Sequence, residues 1–300
     1  SNLLPQILKK REFQYEQGVQ GLRLILWGMF KKVVIADSLA PLVNEIFRDY
    51  ELLNGGTLWL GAIYFAFQIY CDFSGYSDIA IGTSKLFGFE LMSNFKFPYF
   101  SRNIGEFWRK WHISLSTWFR DYLYIPLGGS KGGKWKSIRN IFIIFLVSGF
   151  WHGSNWTFIF WGLFHSILFL PSFLFNTNRK YTTSTIAEHT PLPSSKECFQ
   201  VGITFLLVTI GWVFFRSETI EDAFNYLNHM FFDISLPKKY RSEIISVGVF
   251  IFSEYLIKKD ERLSFKLFKN HLFNYLIYSI ILLFIVSNFY EKSQFIYFQF

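Results

Sequence analysis

Cysteine is almost missing: Cys71 and Cys198 are the pair found in 300 residues. Neither belongs to a CxxC or to a Cys/His metal spacing, so both read as reduced structural thiols. Charge is also scarce. Asp, Glu, Lys and Arg make up 17% of the chain, against about 25% in a soluble globular domain. No HExxH, GxSxG, Walker A or GxGxxG motif occurs in a suitable setting, which removes the common hydrolase, nucleotide and dinucleotide readings. No charged-then-apolar leader opens the chain. It begins SNLLPQILKKREF without an initiator Met, and is expected to be the interior of a longer protein.

What is present is apolar and aromatic. Hydrophobic residues make up 51% and aromatic residues 22%, and the mean hydropathy is +0.23. This composition predicts an all-α, polytopic transmembrane helical bundle, taken as one domain over 1–300. The net charge is +8, but the basic residues sit beside apolar runs, as at Lys31-Lys32, Lys131-Lys134-Lys136 and Lys258-Lys259. That is the pattern of cytoplasmic loops under the positive-inside rule, and no nucleic-acid partner is expected. It puts 102–139, 177–197 and 258–269 on the cytoplasmic side of an inner membrane. Loop 217–243 and the C-terminal tail then face outward.

The candidate spans fall in order. Gly18–Ala36 is interrupted by Arg23 and Lys31-Lys32, so it is either packed inside a bundle or tilted with its lysines snorkelling. Leu58–Phe73 is cleaner, with Gln68 and Asp72 on one helical face. The Gly- and Ser-rich run SGYSDIAIG then holds Asp78 near membrane depth, where small-residue or irregular backbone must pack on protein or line a wet cavity. Residues 101–136 interleave Trp108, Trp111, Trp118 and Tyr122 with Arg109, Lys110, Arg120 and Asp121. They suit re-entrant or interfacial helices, closed by Pro126 and the glycines of GGSKGGK. Ser137–Trp151, Trp156–Phe175, Cys198–Phe215, Ile244–Ile257 and Phe273–Phe289 are further candidate spans.

Chemistry is sought first in FLVSGFWHGSNWTFIFWGLFHS, residues 145–166. An imidazole in such a run is a functional hypothesis by default. A neutral His152 can take a proton from an alcohol at neutral pH, and Gly149 and Gly153 let a substrate or another backbone come close. A core histidine bonded to a neighbouring carbonyl is the alternative. His112, among Ser114, Ser116, Arg120 and Asp121, could stabilise an oxyanion or be an ordinary interfacial histidine. His165 reads as core packing, with a supporting role second. A zinc site from His112, His152 and His165 has no spacing signature, and no metal is expected.

FWRKWHISLSTWFRDYLYIPLGG followed by SGFWHGSNWTFIFWGLFH resembles the membrane-bound O-acyltransferase (MBOAT) family, in particular its bacterial alginate O-acetyltransferase-like branch. GMFKKVVIADSLA, YCDFSGYSDIAIGTSKLFGFEL, NFKFPYFSRNIGEFW, TIGWVFFRSETIEDA and the tail FIYFQF extend the likeness over nearly the whole chain. The resemblance implies a membrane enzyme that moves an acyl group onto a hydroxyl through a tunnel. It makes the WHG histidine, His152, catalytic and His112 the second functional histidine. It also implies several N-terminal helices before residue 1.

The expected reaction is O-acetyl transfer from a cytoplasmic donor, acetyl-CoA, to an exported or cell-surface polysaccharide such as alginate or peptidoglycan. No bound cofactor is expected. Arg109, Lys110 and Arg120 would attract the anionic donor. Trp111, Ser116, Asp121, Asn155, Asp72 and Asp78 complete the expected substrate-binding set. Expected partners are membrane lipids, the polysaccharide acceptor and a periplasmic or extracellular acetyltransferase. D-alanyl transfer from a carrier protein to teichoic acid is the second reading, and a non-enzymatic transporter or channel the third.

Overall fold

The computed structural model describes residues 3–232, 235–237, 239–262 and 271–289. The described residues are helical or irregular, with no strand among them. In chain order the helices are α1 (Leu4–Leu8), α2 (Tyr15–Met29), α3 (Asp37–Arg48), α4 (Gly55–Leu86), α5 (Ile104–Lys110), α6 (Ile113–Phe119), α7 (Lys134–His152), α8 (Trp156–Leu174), α9 (Ser195–Arg216), α10 (Ile220–Phe232), α11 (Ile244–Ile257) and α12 (His271–Asn288). π-helical turns follow α2 at Phe30–Ala36 and α6 at Arg120–Tyr124. The expected FIYFQF tail and the end of the basic loop after Lys258 lie outside the described residues.

By length and composition α8 and α9 could each cross a membrane. The other expected spans are helices that miss this standard for visible reasons. Lys134, Lys136 and Arg139 charge the first turns of α7, and α11 has only 14 residues. Residues 101–136 form two helices of seven residues each, α5 and α6, before the π-turn and the glycine-rich loop, as the lack of a long apolar run predicts.

The described residues sort into two compact units. One comprises those in 1–41, 67–94 and 242–299, the other those in 42–66 and 95–241; α3 and α4 each contribute a stretch to both. In the first unit, α2 meets the second half of α4 through paired glycines. A Cβ on Gly21 would stand 2.6 Å from the Gly82 carbonyl oxygen, and one on Gly28 would stand 2.5 Å from that of Gly75. The Gly- and Ser-rich run therefore continues α4, because its small residues let the two backbones touch.

Beside this contact the π-turn presents two consecutive lysines inward. Lys31 is 4% exposed and pairs with Asp78 at 2.9 Å and Glu254 at 3.8 Å. Lys32 pairs with Asp37 at 2.8 Å and Asp72 at 2.6 Å. The interrupted first span is thus explained by internal ion pairing. Its lysines do not snorkel outward, and both are matched by carboxylates that make burial tolerable.

The second unit is built on a hairpin of α7 and α8. A Cβ on Gly149 would stand 2.2 Å from the Phe158 carbonyl oxygen, and one on Gly162 would stand 2.3 Å from that of Phe145. Asn155 caps α8 by accepting from the Thr157 amide, and Ser194 with Glu197 forms a capping box on α9. Tyr99, Phe107, Trp111, Trp161, Trp212 and Phe215 fill the space between these elements. Tyr99 Oη donates to the Ala66 carbonyl at 2.6 Å and accepts from Trp212 Nε1 at 3.1 Å. Gly162→Ala is expected to push the hairpin apart and to cost about 1–3 kcal/mol, the usual penalty of overpacking. Thermal unfolding in detergent checks this, and an unchanged midpoint would show that the backbone contact is not required.

Candidate active site

His152 is the last residue of α7, where Gly153 stops the helix. A Cβ at 153 would stand 2.7 Å from the Phe158 ring, so the glycine of WHG is a steric requirement of the turn into α8. The His152 imidazole is half-buried among aromatic edges. Ring centroids lie 4.9 Å away at Phe215, 5.3 Å at Trp161 and 6.3 Å at Phe158. α8 and α9 therefore fix the ring's apolar faces, while the exposed Trp151 and Trp156 flank it in sequence.

His112 sits at the junction of α5 and α6 with φ 44° and ψ 57°. A residue other than glycine in this left-handed region costs about 1–3 kcal/mol and persists only where its surroundings enforce it. Burial lowers its pKa to about 4, so the ring is neutral at physiological pH. Ser114 Oγ lies 3.4 Å from its Nδ1. The two histidines are brought together: Trp151 lies 6.2 Å from the His112 ring and 5.0 Å from the His152 ring, and the imidazoles are within electrostatic range of each other.

The other expected site residues divide by what they touch. Trp111 is buried in the aromatic core, 4.9 Å from Trp212 and 5.5 Å from Phe107. Ser116 Oγ reaches the carbonyls of Trp108 and Trp111 at 3.4 Å each. Arg109 donates to the Asn178 and Tyr181 carbonyls, and Lys110 pairs with Glu106 at 2.7 Å. Arg120 and Asp121 are exposed and pair with each other at 2.7 Å. Besides capping α8, Asn155 donates to the Glu218 carbonyl at 2.8 Å. Asp72 and Asp78 belong to the other unit, where lysines hold them.

Sequence reading passes over Glu106. Its side chain is 0% exposed and accepts from the Arg102 backbone amide at 2.8 Å. It pairs with the Arg102 guanidinium at 3.0 Å and the Lys110 ammonium at 2.7 Å. Arg102 also donates to the Ser184 carbonyl at 2.9 Å and pairs with Glu197 at 3.4 Å, so the 177–197 loop is tied to the start of α5. The available signal is Asn103-x-x-Glu106, an N-cap spacing, with basic residues four positions either side of the glutamate. Among the described residues no group of three or more His, Cys, Asp or Glu side chains could hold a metal ion.

Residues 6–210 match the membrane-bound O-acyltransferase family. The chain is 45% identical over 212 residues, 71% of its length, to a protein of Pseudomonas syringae pv. tomato named "probable alginate O-acetylase", of which it covers 38%. It is 39% identical to the peptidoglycan O-acetyltransferase of Helicobacter pylori over 77% of this chain and 42% of that one. To the teichoic acid D-alanyltransferase of Streptococcus thermophilus it is 32% identical, over 65% and 51%. The chain thus spans about two fifths of the length of the O-acetylating relatives. The WHG histidine at the end of α7, the second histidine at the α5–α6 junction and the extent of these matches agree: the chain belongs to the membrane-bound O-acyltransferase family.

Proposed function

We propose that the protein containing this chain transfers acetyl groups from a cytoplasmic donor, acetyl-CoA, to hydroxyls of an exported or cell-surface polysaccharide. The observation that carries the reading is the pairing of His152 with a neutral His112 in an aromatic-walled site. His152 takes the proton of the acceptor hydroxyl as its oxygen attacks the thioester carbonyl. The tetrahedral intermediate then expels the thiolate, which recovers the proton from His152, leaving an ester and a free thiol. In the tautomer that carries its proton on Nε2, the neutral His112 offers that N–H to the oxyanion.

The remaining roles follow from placement. Of the expected donor-binding cations, Arg120 is the most exposed, and exchange of Asp121 for a phosphate would be a small rearrangement. On this reading the protein is a multi-pass protein of the bacterial inner membrane, in contact with lipid, and an extracytoplasmic acetyltransferase accepts or completes the transfer. Higher identity to the O-acetylating relatives than to the D-alanylating one favours acetate over D-alanine. Deletion of the full-length gene tests this. O-acetyl esters on the envelope polysaccharide are expected to disappear, with D-alanyl esters retained. Unchanged acetylation sinks the proposal, and loss of D-alanine instead establishes the second reading.

A further inference from the structure

α8 carries another imidazole that this reaction does not use. His165 is 0% exposed, and neither ring nitrogen has a hydrogen-bond partner. The nearest ring centroids are Trp108 and Trp161, each 5.0 Å away. These two indoles lie 5.6 Å apart, and the Nε1 of each is likewise buried without a partner. Three side chains in mutual contact thus share one property, an orphaned ring nitrogen. Trp161 also forms a wall of the His152 pocket, its ring set at 87° to that imidazole.

Packing alone does not explain His165. A buried polar group left unpaired is destabilising, and an apolar residue of the same shape avoids that cost. α9 also gives way to the ring, since a Cβ on Gly211 would stand 2.6 Å from His165 Nε2. The edge-to-face geometry lets an indole N–H point at a π face. It offers nothing to the in-plane lone pair of a neutral imidazole, which needs a donor. The two indole N–H donors and the acceptor nitrogen of the neutral imidazole match a single water, which takes about three partners when buried.

We propose that His165, with Trp108 Nε1 and Trp161 Nε1, binds one water molecule beside the His152 pocket. His165 is then a positioning residue: the water fixes the rotation of Trp161, and Trp161 holds the His152 ring. The inference rests on the acyl-transfer reading above. A misplacement of a catalytic group by about 1 Å costs about 100-fold in rate.

The test uses membranes from cells carrying the full-length protein, with acetyl-CoA as donor and free thiol release as readout. His165→Phe is expected to lower kcat about 100-fold, with KM for acetyl-CoA unchanged and a melting temperature equal to or above the parent. His165→Gln, which keeps a donor and an acceptor, is expected to recover much of that loss. Parental kcat in His165→Phe overturns the inference. So does a parallel fall of kcat and melting temperature in both variants, the mark of a packing role. Where His165→Phe does not accumulate, Trp108→Phe keeps one aromatic ring and removes the N–H together with the second ring, with melting temperature read beside kcat to separate lost packing from the lost donor. It carries the same expectation, and parental kcat there is equally fatal. His152→Ala runs alongside: if it remains active the acyl-transfer reading fails, and if it is inactive beside a fully active His165→Phe only this inference fails.

Discussion

His152→Ala in the full-length protein is expected to lower acyl transfer by about 100- to 10,000-fold, the range of general acid–base contributions. Protein level and melting temperature should hold. The imidazole ends α7 rather than supporting it, and it is only half-buried. What it touches is aromatic: Phe215, Trp161 and Phe158 keep their contacts with one another when it is gone. Removing a base that acts only as the acceptor proton moves lowers kcat without a matching change in KM. His112→Ala should cost less, about 100- to 1,000-fold, the range for removing one oxyanion donor. The double variant should be about as slow as His152→Ala alone, since residues acting as a unit are not additive. Acetyl content of the polysaccharide at matched protein level reads the first effect, and an unchanged value removes His152 from the chemistry.

Glu106→Ala is expected to be the most destabilising single change in the second unit, at about 3–5 kcal/mol. That is the cost of stripping the partner from buried charges. Glu106 is fully buried and is shared by Arg102 and Lys110, whose side chains are 5% and 14% exposed. Its loss leaves two cations without their common anion and removes the acceptor of the Arg102 amide. Lys110→Met removes the more exposed partner and should cost far less. Because Arg102 also holds Ser184, Thr185 and Glu197, Glu106→Ala should further expose the 177–197 loop to protease. The measurement is unfolding in detergent with limited proteolysis of that loop. A melting temperature within a degree or so of the parent, where 1 kcal/mol moves such a domain by about 2–4 °C, would show that the triad is not buried as described. Activity should fall too, since α5 leads directly into the strained His112.

Much of the helical plan is legible in the chain. The interfacial pair α5 and α6 follows from a stretch with no apolar run long enough to span. The hairpin α7–α8 follows from two apolar runs joined at WHGSN, with glycine to stop one helix and asparagine to cap the next. The histidines stand out because imidazoles are rare and costly in such surroundings. Less legible is what a charged residue pairs with. Arg109, Lys110, Asn155, Asp72 and Asp78 look alike in sequence, as polar residues near apolar ones. Their partners are a carbonyl at 178, a glutamate four residues back, a carbonyl at 218 and two adjacent lysines. Lys110–Glu106 apart, these partners lie 40 or more residues away, and pairing at that range leaves no periodic signal.

Residue types and their local spacing decide where helices start and stop, which segments are too polar to span, and where imidazoles stand in apolar or aromatic runs. Those are properties of one turn of chain, set by backbone sterics and solvation, and they need no partner to be read. Tertiary packing decides which histidine is half-open beside another and which is sealed among indoles with Gly211 making room. It also decides which lysines are neutralised inside, and that Glu106 anchors the segment leading to His112. Those outcomes depend on which distant side chain occupies the few ångströms around each group, and only the folded chain specifies that.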